Sequence, residues 1–364
     1  MTLHITQKLA DKLKLTPVPQ EAGDDLYSWR ANYVQGHGCR FVVFMNDASR
    51  FTVVINEAKA AKLKKLPELF IHSLRETLLA LCVNPDVIER YIAQAGDVVY
   101  AKNSDRKKTA QLNKSTDTVW FSMRDYSDDV GLSTCASGVM IYGPNYSRDE
   151  AYVPKDRFLQ LLGRYGLPVR RCRAFDLSVY LDLDDNDAQR KLRVPANLSF
   201  EGLHKLLQIA FGWKNCHLHS FGLFKKWPKD YYAQPDVELV VESDQYDAYE
   251  ANPNAVSIAG KKLSDYVPEF TRMMYLYDFG DNWLHSIDVE RVIEDCEEEL
   301  PVLLSGEGDA PPEDVGGVGG YAEFLNIIAD PAHEDYEEMT EWVKSQRWEP
   351  FDFEKVARRV KGRF

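Results

Sequence analysis

The segment 272–293 constrains the fold more than any other part of the sequence. Two runs rich in aromatic and aliphatic residues, 272–278 and 283–293, flank the linker Phe279-Gly280-Asp281-Asn282, and the second run alternates apolar and polar residues. A period of two is typical of a half-buried strand, and a short linker with Gly and Asn joins antiparallel strands. The sequence therefore predicts a β-hairpin within an antiparallel sheet that has one covered face.

Further patterns in the second half of the chain indicate strands and helices around this hairpin. Ser199 and Gly212 bracket a predicted helix as N-cap and stop signal. The buried stripe of this helix is formed by Leu203, Leu206, Leu207 and Ala210. Strands are expected at 174–183, 217–224 and 237–241, and acidic helices at 321–329 and 334–344.

The first half of the chain predicts a separate sheet with helices. We expect a helix over 3–14, then an antiparallel meander of three strands at 26–34, 39–46 and 51–56. Helices are expected at 67–82, 85–95 and 155–162, and a long loop with at most one short strand (139–142) at 126–150. A length of 364 residues exceeds one ordinary domain. The predicted fold class is α+β with two domains, 1–166 and 167–364, each a mainly antiparallel sheet packed with helices.

Charge is divided unevenly between the two halves and limits the partners. Residues 1–166 carry a net charge of +3 and residues 167–364 a net charge of −16. Acidic surfaces repel phosphate backbones, so nucleic acid is not expected to bind the second half, and a basic protein segment fits it better. Nucleic-acid binding would have to involve the first half, although its basic clusters at 59–65 and 106–108 lack interleaved aromatic residues.

Neither a membrane span nor a secretion signal is evident in the sequence. No apolar run approaches the roughly 20 residues that cross a bilayer, and no continuous apolar stretch follows the first charged residues. We therefore expect a cytoplasmic protein without membrane contacts. Six cysteines occur without a Cys-x-x-Cys pair, which favours reduced, mostly buried thiols over a zinc ribbon or disulfide scaffold.

The sharpest candidate for chemistry is a group of histidines and acidic residues in the second half. His217 and His219 are two positions apart on a predicted strand, so both rings would point to one side and could ligate a metal. The alternative is core packing, since Phe221 continues that face and His285 is in register with Trp283. The candidate site comprises His217, His219, Asp278, Asp281, Trp283, His285, Glu313 and Asp314, and the candidate metal ligands are His217, His219 and His285.

The glycine- and proline-rich segment 306–320 is the second candidate. It lacks the Gly-Lys-Ser/Thr ending of a phosphate-binding loop, and its four acidic side chains would repel an anion. A rigid, turn-rich connection is one interpretation; the other is that Glu313 and Asp314 meet a cation or a basic partner. The sequence also contains no Gly-x-Ser-x-Gly, His-Glu-x-x-His or dinucleotide-binding motif.

Several blocks of the second half resemble a known family. They are Leu207-Gln-Ile-Ala-Phe-Gly-Trp213, His217-Leu-His-Ser-Phe221, Tyr277-Asp-Phe-Gly-Asp-Asn-Trp283, the loop 306–321 and the ending 330–342. Together they are similar to the plasmid pRiA4b open-reading-frame-three-like family, also described as insertion-element passenger (TnpR-like) proteins. Ala310 and Val315 stand at or near two cysteines usual in that family's loop, so a metal site on those thiolates is not available here.

The first half more loosely resembles a small uncharacterised bacterial domain, through His4-Ile-Thr-Gln-Lys-Leu9, Trp29-Arg-Ala-Asn32 and Phe44-Met-Asn-Asp-Ala-Ser-Arg-Phe51. The two resemblances imply a protein of unknown activity with a link to plasmids or mobile elements. We therefore expect a non-enzymatic binding or interaction module, with no cofactor. The alternative is a metal-dependent hydrolase or nuclease that uses a divalent metal at His217, His219, Asp278 and His285.

Overall fold

The computed structural model describes residues 1–20, 23–36, 38–123, 126, 128–142, 151–227, 233–241 and 254–363. This part of the chain divides into two compact units. The first unit comprises Met1–Cys172 with Cys296–Glu299 and Arg363, and the second comprises Arg173–Asp295 and Leu300–Gly362. Each unit has its own sheet and helices, which confirms the α+β class. No helix among the described residues is long and apolar enough to span a bilayer.

The first unit is a five-stranded sheet in the order β4-β3-β2-β1-β5 with helices on both faces. Alternate residues of β3 enter different cores: Val42 and Phe44 pack into one, and Phe41, Val43 and Met45 into the other. The strands are β1 Thr2–Ile5, β2 Ser28–Gly36, β3 Cys39–Asn46, β4 Thr52–Ile55 and β5 Val99–Lys102. The helices are α1 Gln7–Leu13, α2 Ala60–Leu63, α3 Leu66–Ala80, α4 Pro85–Ala95, α5 Arg106–Ser122, α6 Asp129–Gly138 and α7 Pro154–Leu162.

The sheet of the first unit is mixed rather than mainly antiparallel. The predicted meander is present as β2, β3 and β4, which pair antiparallel. The predicted helix over 3–14 is wrong in its first part, because residues 2–5 form β1, which runs parallel to both β2 and β5. Thr6 then caps α1, its side chain accepting from the Leu9 N–H group. The parallel pairing joins distant segments, so no local pattern indicates it.

The long loop predicted over 126–150 is wrong for its described part, because 129–138 form α6. This helix lies against the edge strand β4 and bonds to it through two serines. The Ser137 hydroxyl accepts from Thr52 N at 2.9 Å, and the Ser133 hydroxyl accepts from Val54 N at 2.9 Å. Helix side chains thus replace a neighbouring strand. Residues 143–150 lie outside the described residues.

The second unit is an eight-stranded sheet in the order β10-β9-β8-β11-β12-β6-β7-β13. Helix α8 is bounded as expected, with Ser199 as N-cap and Gly212 in the left-handed conformation after its last turn. The strands are β6 Cys172–Leu181, β7 Ala188–Pro195, β8 His219–Phe224, β9 Val237–Val240, β10 Ala255–Ser257, β11 Arg272–Tyr277, β12 Trp283–Cys296 and β13 Val302–Glu307. The helices are α8 Phe200–Phe211, α9 Gly317–Ala329, α10 Tyr336–Gln346 and α11 Phe353–Arg363.

A buried arginine connects several elements of the second unit. Arg190 on β7 is 1% exposed, and its guanidinium donates to the carbonyl groups of four residues. Phe351 stacks on the guanidinium, whose central carbon lies 3.7 Å from the ring centroid. Burial lowers the pKa of Arg190 to about 10, which still leaves it charged at neutral pH. The acceptors are the carbonyl oxygens of Gln189, Ala210, Glu307 and Gly308.

Candidate metal centre

The hairpin β11–β12 and strand β8 present one continuous face to helix α8. Tyr277 pairs with Trp283 on β12 and with His219 on β8, and Tyr275 pairs with His285 on β12. Because alternate residues point to the same side of a sheet, these five side chains share a face. Tyr275, Tyr277, Trp283 and His285 have no exposed surface. This face is a packed aromatic core, and the candidate centre lies at its end.

His285 and Trp283 belong to that core. The His285 ring packs edge-on against Phe211 and Trp213, with centroid distances of 4.8 and 5.2 Å. Its Nδ1 lies 3.2 Å from the Tyr275 and Trp283 carbonyl oxygens. Burial lowers the pKa of His285 to about 3, so the ring is neutral at ordinary pH. No carboxylate among the described residues contacts it, and the structure does not bring His285 to the other candidate ligands.

His219 packs on a histidine that the sequence did not single out. The rings of His219 and His204 stack with centroids 3.5 Å apart and planes within 2°. His204 Nδ1 lies 2.8 Å from the Tyr275 hydroxyl, and its Nε2 lies 2.6 Å from Asn215 Oδ1. Burial lowers the pKa of His204 to about 4, and burial with the neighbouring His204 lowers that of His219 to about 2. Two neutral rings therefore stack without mutual charge repulsion.

We expect these buried neutral histidines to make the second unit acid-sensitive. The folded-state pKa values of His204 and His285 lie below the ordinary value, so the unfolded chain binds more protons between about pH 6.5 and pH 4. Stability is therefore retained near neutral pH and falls as the pH drops, by on the order of 1–2 kcal/mol per histidine at about pH 5. Urea unfolding of the full chain, followed by amide exchange in β11, measures the fall. The loss of stability with falling pH should be smaller in His285→Phe and unchanged in His333→Ala. An equal dependence of stability on pH in the parent and both variants would contradict the role of the buried histidines.

His217 lies away from the strand on which it was predicted. Strand β8 begins at His219, and His217 occupies the bend before it, after Asn215 with a φ of 57°. The prediction that His217 lies on the same strand as His219 is therefore wrong. Its ring still packs edge-on against Tyr277, with centroids 5.9 Å apart, on the face that also carries His219. His219 enters the aromatic core, and His217 Nε2 faces the acidic side chains at the end of that core.

Three carboxylates surround the Nε2 atom of His217. It lies 3.2 Å from Asp314 Oδ1, 3.5 Å from Asp278 Oδ2 and 3.6 Å from Glu313 Oε2. This nitrogen is buried, and none of the oxygens meets the geometry of a hydrogen bond to it. Asp278 and Glu313 are buried, whereas 62% of the Asp314 side chain is exposed. The centre therefore has a buried side and a side open to solvent.

The hairpin turn fixes one of these carboxylates. Asp278 adopts a left-handed conformation with a φ of 57°, and its Oδ1 accepts from the Gly280 and Asp281 N–H groups at 2.9 and 3.3 Å. Asp278 N donates to the Leu218 carbonyl at 2.9 Å, which keeps the turn beside the His217 bend. Asp281 lies outside the cluster. Its Oδ2 accepts from Gly316 N at 3.2 Å and so ties the turn to the loop after β13.

The loop after β13 fixes the other two carboxylates. Glu313 Oε1 accepts from Lys214 N at 2.7 Å and from the Tyr277 hydroxyl at 3.1 Å. Its Oε2, 3.3 Å from the same hydroxyl, lies toward His217. Burial and the adjacent Glu313 raise the pKa of the Tyr277 phenol, so it remains a donor. The Trp213 indole donates to the Pro311 carbonyl at 2.9 Å and holds the loop against the core.

Cys216 is a member of this cluster that the sequence did not indicate. All six cysteines are free thiols, as expected, but the expected burial holds only in part. Two are buried, three are partly buried and Cys216 is exposed. His217 belongs to two groups of potential metal ligands. One group is Cys216, His217 and Glu313, and the other is His217, Asp278 and Asp314. Within each group the ligand atoms lie within 4.8 Å of one another. The signal in the sequence that could have indicated Cys216 is its position next to His217, directly before a strand.

Family models match both units. A model described as "Plasmid pRiA4b ORF-3-like protein" matches residues 173–358, and one described as "Domain of unknown function (DUF6933)" matches residues 2–139. The uncharacterized protein y4hQ of Sinorhizobium fredii is 36% identical over 173 residues, which cover 48% of this chain and 82% of that protein. The protein of unknown function MM3350 from Methanosarcina mazei, known from a crystal structure, is 32% identical in sequence to this chain, with a TM-score of 0.42. The match covers 50% of this chain and 97% of the MM3350 chain. Through the match over 173–358, which spans half of the sequence, the chain belongs to the plasmid pRiA4b ORF-3-like family.

Proposed function

We propose that the second unit binds one divalent metal ion through His217 and the surrounding carboxylates of Asp278, Glu313 and Asp314. The spacing around His217 Nε2 carries the proposal, with carboxylate oxygens at 3.2, 3.5 and 3.6 Å. An ion bonded at about 2.1 Å to tetrahedral ligands keeps those ligands about 3.4 Å apart. The separations around His217 are those of atoms that can share one ion.

An ion pair of protonated His217 with the carboxylates would also explain the contacts, but it fits the geometry less well. A single N–H group points in one direction, and no oxygen takes the position of its acceptor. Asp278 and Glu313 are buried and already accept hydrogen bonds from backbone N–H groups and the Tyr277 hydroxyl, and a cation beside them would add compensating charge. One imidazolium offers a single charge to three carboxylates, whereas a divalent ion offers two and bonds several oxygens at once.

The position of the ligands supports a binding role without catalysis. They come from three segments: the bend before β8, the turn of the β11–β12 hairpin and the loop between β13 and α9. An ion that bonds all three would hold them together, and its binding free energy would add to the stability of the folded unit. The net charge of −16 over 167–364 favours a basic protein segment as the partner of the metal-stabilised unit.

A metal-dependent hydrolase is a second candidate, which the exposure of Asp314 favours. Its side chain is 62% exposed, so water can reach the ion on that side. Catalytic metal sites retain such an open position, where the ion activates a bound water. Release of p-nitrophenol from an activated phosphodiester by the zinc- or manganese-loaded protein would support this candidate, provided that His217→Ala abolishes it.

We expect the full chain, stripped with a chelator and free of a histidine tag, to bind one zinc ion per chain. Zinc at about a hundred times its dissociation constant should stabilise the second unit by about 2.7 kcal/mol. His217→Ala should weaken zinc binding by a hundredfold or more, because loss of partners outside the ligand set already costs about ten- to a hundredfold. Competition with a chromophoric chelator measures the affinity, and a thermal shift measures the stabilisation.

His333→Ala is the matched control, since this imidazole also lies beside a carboxylate, with Nδ1 3.8 Å from Asp335 Oδ2, but outside the cluster. It should retain the affinity and the thermal shift of the parent chain. Equal zinc stoichiometry and affinity in the parent and His217→Ala proteins would refute the proposed centre, as would an absence of binding by the parent protein.

A further inference from the structure

The thiol of Cys216, an exposed residue, stands beside the proposed centre and close to the buried Glu313. The ligand atoms of Cys216, His217 and Glu313 lie within 4.8 Å of one another. The backbone N–H of Cys216 donates to the Tyr277 hydroxyl at 3.2 Å, and that hydroxyl donates in turn to Glu313 at 3.1 Å. The backbone position of the cysteine is therefore fixed relative to the carboxylate, and its short side chain has one torsion with which to direct the sulfur.

A second observation points to a ligand at this place. His217 Nε2 is a buried nitrogen with no hydrogen-bond partner among the described residues. Such an atom costs free energy unless something satisfies it. His217 is shared by the two groups of potential ligands, with Cys216 and Glu313 in one and Asp278 and Asp314 in the other. A cation bonded to this imidazole could take its other ligands from either group.

We infer that Cys216 Sγ is a ligand of the ion, together with His217 and Glu313, and that the centre is therefore a zinc centre. The inference rests on the proposed metal binding and adds the identity of the metal. On binding, the thiol loses its proton to solvent and the sulfur lone pair forms the bond to the ion. Zinc–sulfur and zinc–nitrogen bonds of about 2.3 and 2.1 Å place sulfur and nitrogen about 3.6 Å apart in a tetrahedron. The sulfur already lies within 4.8 Å of a ring nitrogen of His217, and the side chain of Cys216 is exposed and has one torsion with which to approach it.

The sulfur ligand determines which metals the centre selects. Thiolate is a soft ligand that favours zinc, whereas magnesium, calcium and manganese prefer carboxylate, carbonyl and water oxygens. With Cys216 the set contains sulfur, nitrogen and oxygen, which is typical of zinc. Without it only one nitrogen and carboxylates remain, and these discriminate less between zinc and manganese. Removal of the thiol should therefore reduce zinc affinity far more than manganese affinity.

The test is a cobalt(II) titration of the full chain, stripped of metal and kept reduced with a phosphine reductant. Cobalt replaces zinc in tetrahedral sites and reports a thiolate ligand as an intense near-ultraviolet charge-transfer band. We expect that band in the parent protein and in Cys39→Ser, and its loss in Cys216→Ser with the weaker visible bands retained. Zinc affinity of Cys216→Ser should fall by at least an order of magnitude, with little change in manganese affinity.

The possible outcomes separate this inference from the proposed function. Visible cobalt bands without the charge-transfer band in the parent protein would leave metal binding standing and overturn the role of Cys216. Equal losses of zinc and manganese affinity in Cys216→Ser would overturn it too, because a general disturbance of the site would then explain both. An absence of cobalt and zinc binding by the parent protein would refute the proposed function itself.

Discussion

Arg190→Ala is expected to destabilise the second unit by about 3–5 kcal/mol, because it removes a buried charged group whose partners stay behind. The guanidinium donates to Ala210 O at 2.9 Å, to Gln189 O at 2.7 Å, to Glu307 O at 2.6 Å and to Gly308 O at 3.0 Å. These carbonyls belong to the end of α8, to β7 and to the end of β13 with the residue after it. Loss of the side chain leaves buried acceptors unsatisfied in all three places.

Stacking adds to the loss, since the Arg190 guanidinium also covers the rings of Phe351 and Phe211 at 3.7 and 5.0 Å. Arg190→Lys retains a charge but not the planar group, so it should recover only part of the stability. Arg291→Ala, which removes an exposed arginine from β12, should change the free energy of unfolding by less than about 0.5 kcal/mol. Urea unfolding of the full chain, followed by amide exchange in β7 and β13, gives the comparison. Similar stabilities for Arg190→Ala and Arg291→Ala would contradict the role of the buried guanidinium.

Gly320→Ala is expected to weaken metal binding and to destabilise the second unit by about 1–3 kcal/mol. A Cβ atom at Gly320 would overlap the backbone carbonyl of Val315, which is not the movable end of a side chain. The loop that carries Glu313 and Asp314 would have to shift away from the first turn of α9. Because the carboxylates lie 3.2 to 3.6 Å from His217 Nε2, a shift of half an ångström alters the ligand geometry.

Gly319→Ala is the matched control for this prediction. It makes the same change one residue earlier in the same helix, where a Cβ would meet nothing within 4 Å. Alanine is the better helix former, so Gly319→Ala should leave zinc affinity unchanged and stability equal or up to about 1 kcal/mol higher. Parallel zinc titrations and thermal unfolding of both variants decide the question. If the two variants bind zinc equally well, the packing of α9 against the loop does not position the carboxylates.

Elements whose signals are local were predictable from the sequence, and elements whose stability comes from distant partners were not. Ser199 and Gly212 delimit α8 by capping chemistry alone, and the hairpin β11–β12 has its own turn residues. Helix α5 was missed because its buried side is largely Ser and Thr. Thr116 and Ser122 there satisfy their hydroxyls on the carbonyls four residues earlier, at 3.0 and 2.9 Å. Small polar residues of this kind leave no apolar period to detect.

The sequence named most members of the cluster, namely His217, Asp278, Glu313 and Asp314, and it left core packing open for His219 and His285. Asp278 is fixed by the hairpin turn. Glu313 and Asp314 lie in the loop for which the sequence left two interpretations open, a rigid connection or a contact with a cation or basic partner. The predicted strand begins two residues later than expected, because the left-handed Asn215 and the bend at His217 come before it. The stacking of His219 on His204 joins a strand to a helix. No spacing along the chain encodes such a contact.

The two serines of α6 bear on how the first unit avoids self-association. An edge strand with free N–H groups is a template onto which a strand of another molecule can add, and this is a common route to aggregation. On β4 the N–H groups of Thr52 and Val54 already donate to Ser137 and Ser133. A helix thus occupies the donors that an incoming strand would need. The β4 edge is closed to sheet extension by two hydroxyl groups, without a proline, a bulge or a charged residue in the strand.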